Sequence, residues 1–345
     1  MAGKRQHFIP QFLQKGFASR MVRDEAFIWV YRKGTQPFNT NINNVGVEGF
    51  FYSEDDDREL DESITDSEKY FSSLVANLRS GEPVVSLGAE RLAQLLAHFE
   101  VRTKHIRQSF LESGTHLLDE LLKFAGDTKA FGSYFQRKTK QDPSLMRDAM
   151  SEELKKHGLP QTMLPQVMQL SAPLLEQAMP NLLSQMPAIA EHLRAIMPSK
   201  LKGAAKSGHI KALNKTLAPE VKVRLYVNLN YRLVHSAEAS FPLGDSVVLF
   251  HIEGERAFKP FFEKDDILKA VLLPISPHHV LVGSADDYQP DLSSLPREIA
   301  RCSLEYFISS EASEANAQLS ESIGANAHIL SKPQIEAMIS ELFNE

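Results

Sequence analysis

The sequence predicts an α+β protein whose N-terminal and C-terminal strands form a mixed sheet packed on a central helical layer. Three observations carry this. Short β-branched and aromatic runs occupy both ends of the chain, and apolar residues at helical spacing occupy its middle. The order is strands, helices, strands, helices, without the regular alternation of a doubly wound sheet. Apolar residues make up 43% of 345 positions, enough for a sizeable core.

The chain opens with "KRQHFIPQFLQKGF", Lys4 to Phe17. His7, Pro10, Gln11 and Gln14 interrupt its apolar run, so it is no secretory signal and is expected to fold into the protein. His7 is then a site residue or a buried anchor. "AFIWVYRK" over residues 26–33 reads as a strand, and "NINNVGVEGFFYSE" continues strand-like between Asn and Gly turns. The acidic run "EDDDRELDE" reads as the solvated start of a helix, favoured by the helix dipole. A metal-binding role for Asp55, Asp56 and Asp57 is the competing reading. Ile64, Phe71, Leu74 and Leu78 then trace a helical stripe that Gly81 ends. One long helix is predicted over residues 88–124, with Leu92, Leu96, Phe99, Ile106 and Phe110 on one face.

Residues 126–220 are rich in Met, Leu, Gln and Pro. Pro160, Pro165, Pro173, Pro180, Pro187 and Pro198 recur without a settled period, which predicts short helices joined by proline turns. "KLKGAAKSGH" reads as an exposed connection. The Met-rich surface is core, or an adaptable contact for a protein partner or a second copy of the chain. From residue 221, "VKVRLYVNLNYRLVHS" alternates with period two and reads as a strand. "SVVLFHIEG" and "AVLLPISPHHVLVGS" are two further strand candidates. "LPREIARCSLEYFISS" reads as helix, and "SKPQIEAMISELF" as a closing helix capped by Ser331 with Pro333 in its first turn. The chain thus divides into residues 1–125 (strands and long helix), 126–220 (helical insertion) and 221–345 (strands and helices completing the core).

The totals exclude several functions. A net charge of −6 gives no global attraction to nucleic acid, although a local basic groove is compatible with it. Cys302 is the only cysteine, so neither an internal disulfide nor a cysteine zinc site forms within one chain, and the reducing cytoplasm is the expected compartment. No apolar run reaches the length of a membrane span. Walker, dinucleotide, nucleophile-elbow and HExxH signatures are absent.

Four polar features remain. His7 stands with Pro10 in the opening segment. His98, Arg102 and His105, at steps of four and three, share one helix face, with Lys104 and Arg107 adding positive charge. This face reads either as a basic surface paired with the acidic excess or as a phosphate contact, since Arg offers a planar donor fork. Two residues separate Arg102 from His105, which does not fit the helical ribonucleases that need four to six between Arg and His. Asp245 follows Gly244 where a strand begins, as a metal-site carboxylate or a plain turn residue does. His251 and Glu253 share a strand face, whereas His278 and His279 would point to opposite faces and make no two-His metal site.

"RQHFIPQFLQKGF", "IWVYRK", "EGFFY", "LLAHFEVRT", "FPLGDSVVL" and "VLLPISPHHVLVG" occur in that order. The series resembles the bacterial domain-of-unknown-function family four-two-three-eight over most of the chain outside the Met/Pro-rich middle. The likeness is close at His7, Pro10 and Phe17, at Phe99, Arg102 and Thr103, and at Pro274, Ser276 and Pro277. It departs at Leu13, one place early. It departs again at Gly244, where the family pattern has Ser, and at Val247, where it has Pro. The resemblance implies a bacterial setting and a place in anti-phage defence. On that analogy the chain is expected to be a cytoplasmic defence effector, a nuclease or other phosphoester hydrolase acting on nucleic acid. His7 would be general base or metal ligand, Arg102 a clamp on phosphate and Asp245 a metal ligand or His orienter, with Glu100 completing the catalytic set. Lys4, Arg5, His98, Lys104, His105 and Arg107 would contact nucleic acid, and Mg²⁺ or Mn²⁺ would be the cofactor. The alternative is a non-catalytic sensor or protein-binding module whose polar residues are structural.

Overall fold

The computed structural model describes residues 5–53, 59–263, 265–330 and 332–344. Lys4 and Ser331, expected to supply a nucleic-acid contact and a helix cap, and Asp55, Asp56 and Asp57, for which metal binding is the competing reading, lie outside the described residues. The architecture is α+β, with antiparallel sheets in the N- and C-terminal regions around a helical core. The chain divides into two units. One comprises Met1–Glu112 and Ala204–Ile329, the other Ser113–Gly203 and Leu330–Glu345.

In the first unit, strand Glu25–Tyr31 pairs with Arg20–Val22, with Phe38–Asn41 and with Phe307–Ser309, which in turn pairs with Leu243–Gly244. The two ends of the chain therefore share a sheet, as expected. Every described pairing in it is antiparallel, so the sheet is not mixed. Its join is sealed by the Tyr31 and Phe307 rings, stacked with centroids 5.0 Å apart.

The second sheet runs Asn230–His235, His279–Ser284, Leu268–Ser276, Leu249–Ile252, Phe258–Lys259. "AVLLPISPHHVLVGS" is thus a hairpin rather than one strand, turning at Pro277 and His278. Val271, Leu273 and Ile275 belong to the main core, while Ala270 and Leu272 join a second cluster with Leu295, Ile299 and Cys302. A strand covered on both faces is apolar at successive positions, which is why this stretch shows no alternation. A two-stranded ribbon, Arg5–His7 with Val47–Gly49, completes the strands of this unit.

Four other expectations change. The helix predicted over 88–124 is two helices, Ala89–Arg102 and Lys104–Gly126, broken at Thr103, whose backbone is extended. The break resets the helical phase, so Phe110 leaves the buried face and stands exposed. Residues 220–226, expected to alternate as a strand, form helix Glu220–Tyr226, started at Pro219 and tied by Glu220 to Arg224 one turn on; the strand begins only at Asn230. "LPREIARCSLEYFISS" is helical only over Leu295–Cys302. The Asp245 carboxylate takes the backbone N–H groups of Leu304 (2.7 Å), Glu305 (2.7 Å) and Tyr306 (3.2 Å), holding them in a turn that feeds strand Phe307–Ser309. Finally, the Met/Pro-rich region holds two short helices as expected, Thr128–Gln141 and Ser144–Lys156, the second begun at Pro143, but its remaining short helices and exposed connection are one helix, Leu164–Lys215, of 52 residues. Pro173, Pro180, Pro187 and Pro198 stand inside it at steps of seven, seven and eleven, so they share one face. All four are exposed. Each lacks the N–H that would bond the carbonyl four residues earlier, and on an exposed face water can take that carbonyl instead.

The opening segment is fastened from outside. Arg79, in helix Glu59–Arg79, donates to the carbonyls of Phe12 (2.9 Å), Leu13 (2.9 Å) and Ile275 (2.7 Å). Burial lowers its pKa to about 10, still charged at neutral pH. Gly16 lies against this clamp: a Cβ there would meet the Arg79 guanidinium and stand 2.6 Å from the Ile275 carbonyl oxygen. Gly16→Ala is expected to cost about 3 kcal/mol, the upper part of the usual overpacking range. Urea melts of the variant beside wild type check it; a loss under about 0.5 kcal/mol, the ordinary surface range, would show that the clamp yields freely.

Three histidines are held as neutral rings, His98 and His105 buried and His209 half-buried. His105 donates from Nε2 to the Ala327 carbonyl (2.7 Å) and His209 from Nε2 to that of Val101 (2.7 Å). Burial lowers both to about 4, and places His98 well below its ordinary value. The unfolded chain takes up these protons below pH 6.5 while the fold refuses them, so stability is complete above pH 6.5 and falls as pH drops towards 4. At pH 5, His105 and His209 each cost about 2 kcal/mol. Asp245, pushed up to about 6 by burial against the pull of its three N–H donors, acts oppositely and offsets about 1 kcal/mol. Denaturant unfolding at pH 7.5 and pH 5 is expected to show a net loss of about 3 kcal/mol or more; equal stability at the two values would mean that these rings charge without cost.

Candidate functional site

The polar centre of the first unit forms where four pieces of chain meet Arg102. Helix Ala89–Arg102 is buried on nearly every side, through Leu92, Leu95, Leu96 and Phe99 but also His98, Glu100 and Arg102. A cation so placed must be paired and hydrogen-bonded. Arg102 is: its Nη2 stands 2.6 Å from Glu68 Oε1 and donates to the His7 carbonyl at 2.7 Å, Nε donates to Tyr52 Oη at 3.1 Å, and Nη1 to His98 Nε2 at 3.1 Å. Because an arginine cannot accept, His98 Nε2 is the acceptor and its Nδ1–H donates to the Leu217 carbonyl (3.2 Å). That fixes a neutral tautomer. Tyr52 Oη in turn donates to the His7 carbonyl at 3.1 Å. Burial pushes the Tyr52 phenol up to about 12, so it stays protonated.

His7 is held by its main chain; its ring has other partners. Gln11 Nε2 lies 3.2 Å from His7 Nε2, and the Ile42 carbonyl accepts from the ring. Burial lowers its pKa, so the imidazole is neutral. The lone pair a general base would use faces the Gln11 amide. Beside the network, a cleft of about 590 Å³ is lined by His98, Phe71, Tyr70, Asp66, Glu90 and Glu220 among others. Its charged groups are acidic, which suits a cationic or neutral occupant better than a phosphate chain.

Of the expected catalytic set, the structure brings together His7 and Arg102. Glu100, two residues away, faces another network: Oε1 accepts from Lys222 Nζ (2.8 Å) and Oε2 from Tyr226 Oη (2.6 Å). Asp245 holds the turn at 304–306. Among the described residues, no hydrogen bond or ion pair joins Asp245 to His7, Arg102 or Glu100. The residues expected to meet nucleic acid are also engaged. Arg5 bonds Asn43 and Asn44, and Lys104 pairs with Glu305 (2.9 Å) and Glu48 (3.9 Å). Arg107 pairs with Glu48 (3.8 Å) and lies over the Phe51 ring at 3.8 Å. His98 and His105 are buried.

Sequence reasoning missed Glu68 and Tyr52. Glu68 had a signal: it fills the place between Ile64 and Phe71 in an apolar stripe, and an acid inside such a stripe asks for a buried partner. Tyr52 had none beyond its aromatic neighbours.

Among the described residues no helix is long and apolar enough to cross a membrane. Comparison found no match among curated proteins and none among solved structures. Residues 5–328 match the family described as "Protein of unknown function (DUF4238)", and the chain belongs to that family.

Proposed function

We propose that this chain is a non-catalytic sensor or protein-binding module, and that any part it plays in anti-phage defence runs through a partner rather than through hydrolysis of nucleic acid. One observation carries the reading. The groups that a nuclease would turn towards substrate, the His7 lone pair and the Arg102 fork, are spent on Gln11, Glu68, Tyr52, His98 and the His7 carbonyl. The pairing of Lys104 and Arg107 with Glu48 and Glu305 supports it, because a strand-binding groove needs uncompensated positive charge. In the second unit, Leu170, Leu174, Leu182, Ile189 and Ile196 leave apolar surface exposed along helix Leu164–Lys215, which suits association with another protein.

The reading makes the two motif residues behave differently from catalytic ones. Arg102→Ala strands Glu68 and leaves the His7 carbonyl with Tyr52 alone; it is expected to cost about 3–5 kcal/mol, the range for breaking a buried pair. His7→Ala keeps the clamped carbonyl and loses only ring contacts, so about 1–2 kcal/mol is expected. Thermal melts read both. Phage protection by wild type and variants, measured in parallel, should then follow folded protein level. A wild-type protein that cuts DNA or RNA with Mg²⁺ or Mn²⁺, and loses this in His7→Ala at unchanged melting temperature, would overturn the proposal in favour of a nuclease.

A further inference from the structure

The second unit contains a polar cluster unrelated to the network around Arg102. His116 and Glu120 stand four residues apart on helix Lys104–Gly126, hence on one face. Glu336 comes from helix Lys332–Asn344. That helix is seated by apolar contacts: Ile335 is buried, and the Phe343 ring stacks on Phe124 with centroids 3.6 Å apart and meets Tyr134 edge-on at 5.0 Å. Arg137 Nη2 donates to the Phe343 carbonyl at 2.5 Å. Glu336, next to Ile335, is carried to the cluster by this packing. One nitrogen of His116 and one carboxylate oxygen each of Glu120 and Glu336 all lie within 4.8 Å of one another.

Two features of this cluster need explanation. A carboxylate oxygen of Glu120, which also pairs with Lys123 Nζ at 2.5 Å, and one of Glu336 lie within 4.8 Å of each other. The Nε2 atom of His116 is shut off from solvent and has no hydrogen-bond partner among the described residues. A buried nitrogen left unpaired costs about 1–3 kcal/mol. One occupant answers both: a dication would bridge the two carboxylates and give the imidazole a partner.

We infer that His116, Glu120 and Glu336 bind a first-row divalent cation, Zn²⁺ by ligand chemistry, which clips the C-terminal helix to helix Lys104–Gly126. An imidazole ligand favours such ions over Mg²⁺ and Ca²⁺, which take oxygen. Three protein ligands, one N and two O, leave a fourth tetrahedral position for water or a partner's side chain. Zinc bond lengths put tetrahedral ligand atoms about 3.4 Å apart, so the three groups close by about 1 Å on binding, within reach of rotamer adjustment.

The test uses the full chain, stripped with chelator and titrated with ZnCl₂ against a competing dye at pH 7.5 in millimolar Mg²⁺. Wild type is expected to bind one Zn²⁺ per chain and to melt at a higher temperature when loaded. His116→Ala and Glu336→Gln are each expected to weaken binding by more than ~100-fold, beyond the ~10–100-fold of losing an outer-shell partner. The Glu336 side chain is exposed, so its Gln variant keeps the fold, which circular dichroism verifies. His192→Ala, an exposed histidine elsewhere in this unit, should bind as wild type. Absence of Zn²⁺ uptake, or equal affinity in wild type, His116→Ala and Glu336→Gln, would overturn the inference.

Discussion

The first unit depends on a fully buried guanidinium. Taking the Arg102 charge out of water costs several kcal/mol, and only a complete set of partners makes the burial tolerable. Those partners come from separate stretches: Glu68 from helix Glu59–Arg79, Tyr52 from just beyond the terminal ribbon, His7 from the ribbon itself and His98 from one turn earlier. Each is placed by the need to meet a planar fork of fixed shape, so the fork sets the relative position of all four. A lysine, with one charged point on a flexible stem, imposes no such geometry.

The same logic accounts for how the opening segment, with its short strand Arg5–His7 and helix Gln11–Gln14, is fixed to the rest of the unit. Several of its carbonyls go to side chains. Arg102 and Tyr52 take that of His7, Gln14 takes that of Ile9, and Arg79 takes those of Phe12 and Leu13. The Gly46 carbonyl receives the N–H groups of Phe8 and Ile9, and Gly46, at φ 64°, has only 2.7 Å between an ideal Cβ and that of Ile9. The two clamps therefore serve as the tertiary equivalent of a ladder. This explains why a histidine stands at the head of the apolar run: its carbonyl is the anchored group.

Much of the fold was legible because periodicity reports burial. The strand at 25–31, the helix at 59–79, the strand at 249–252 and the closing helix all follow from spacing or from apolar runs. Two of the misses show a local preference overridden, one by a distant polar group and one by exposure. Residues 304–306 lack any breaker, yet a carboxylate about sixty positions earlier claims their N–H groups. The prolines of 173–198 read as breaks because sequence does not reveal that they share an exposed face. The polar centre was half legible for a related reason. Sequence displays side chains, so His7 and Arg102 drew attention within a set that also held Asp245 and Glu100, but the bond between His7 and Arg102 ends on a main-chain oxygen. Glu68, the charge that balances Arg102, was hidden in an amphipathic stripe.

Two positions beside Asp245 have backbone settings that restrict which residues can stand there. Gly244 packs so closely that a Cβ would stand 2.5 Å from Ser303 Oγ, so any larger residue there requires that hydroxyl to move. Val247 has φ 64°, a conformation closed to proline, whose ring locks φ near −65°. A β-branched residue held there costs about 1–3 kcal/mol, and the surrounding turn must over-determine it. What over-determines it is Asp245: its carboxylate fixes 304–306 and its own N–H donates to the Tyr306 carbonyl (3.2 Å), gripping the turn on both sides of the peptide. What the aspartate holds is thus the backbone of a distant strand, through its carboxylate and its own N–H rather than through the side chains on either side.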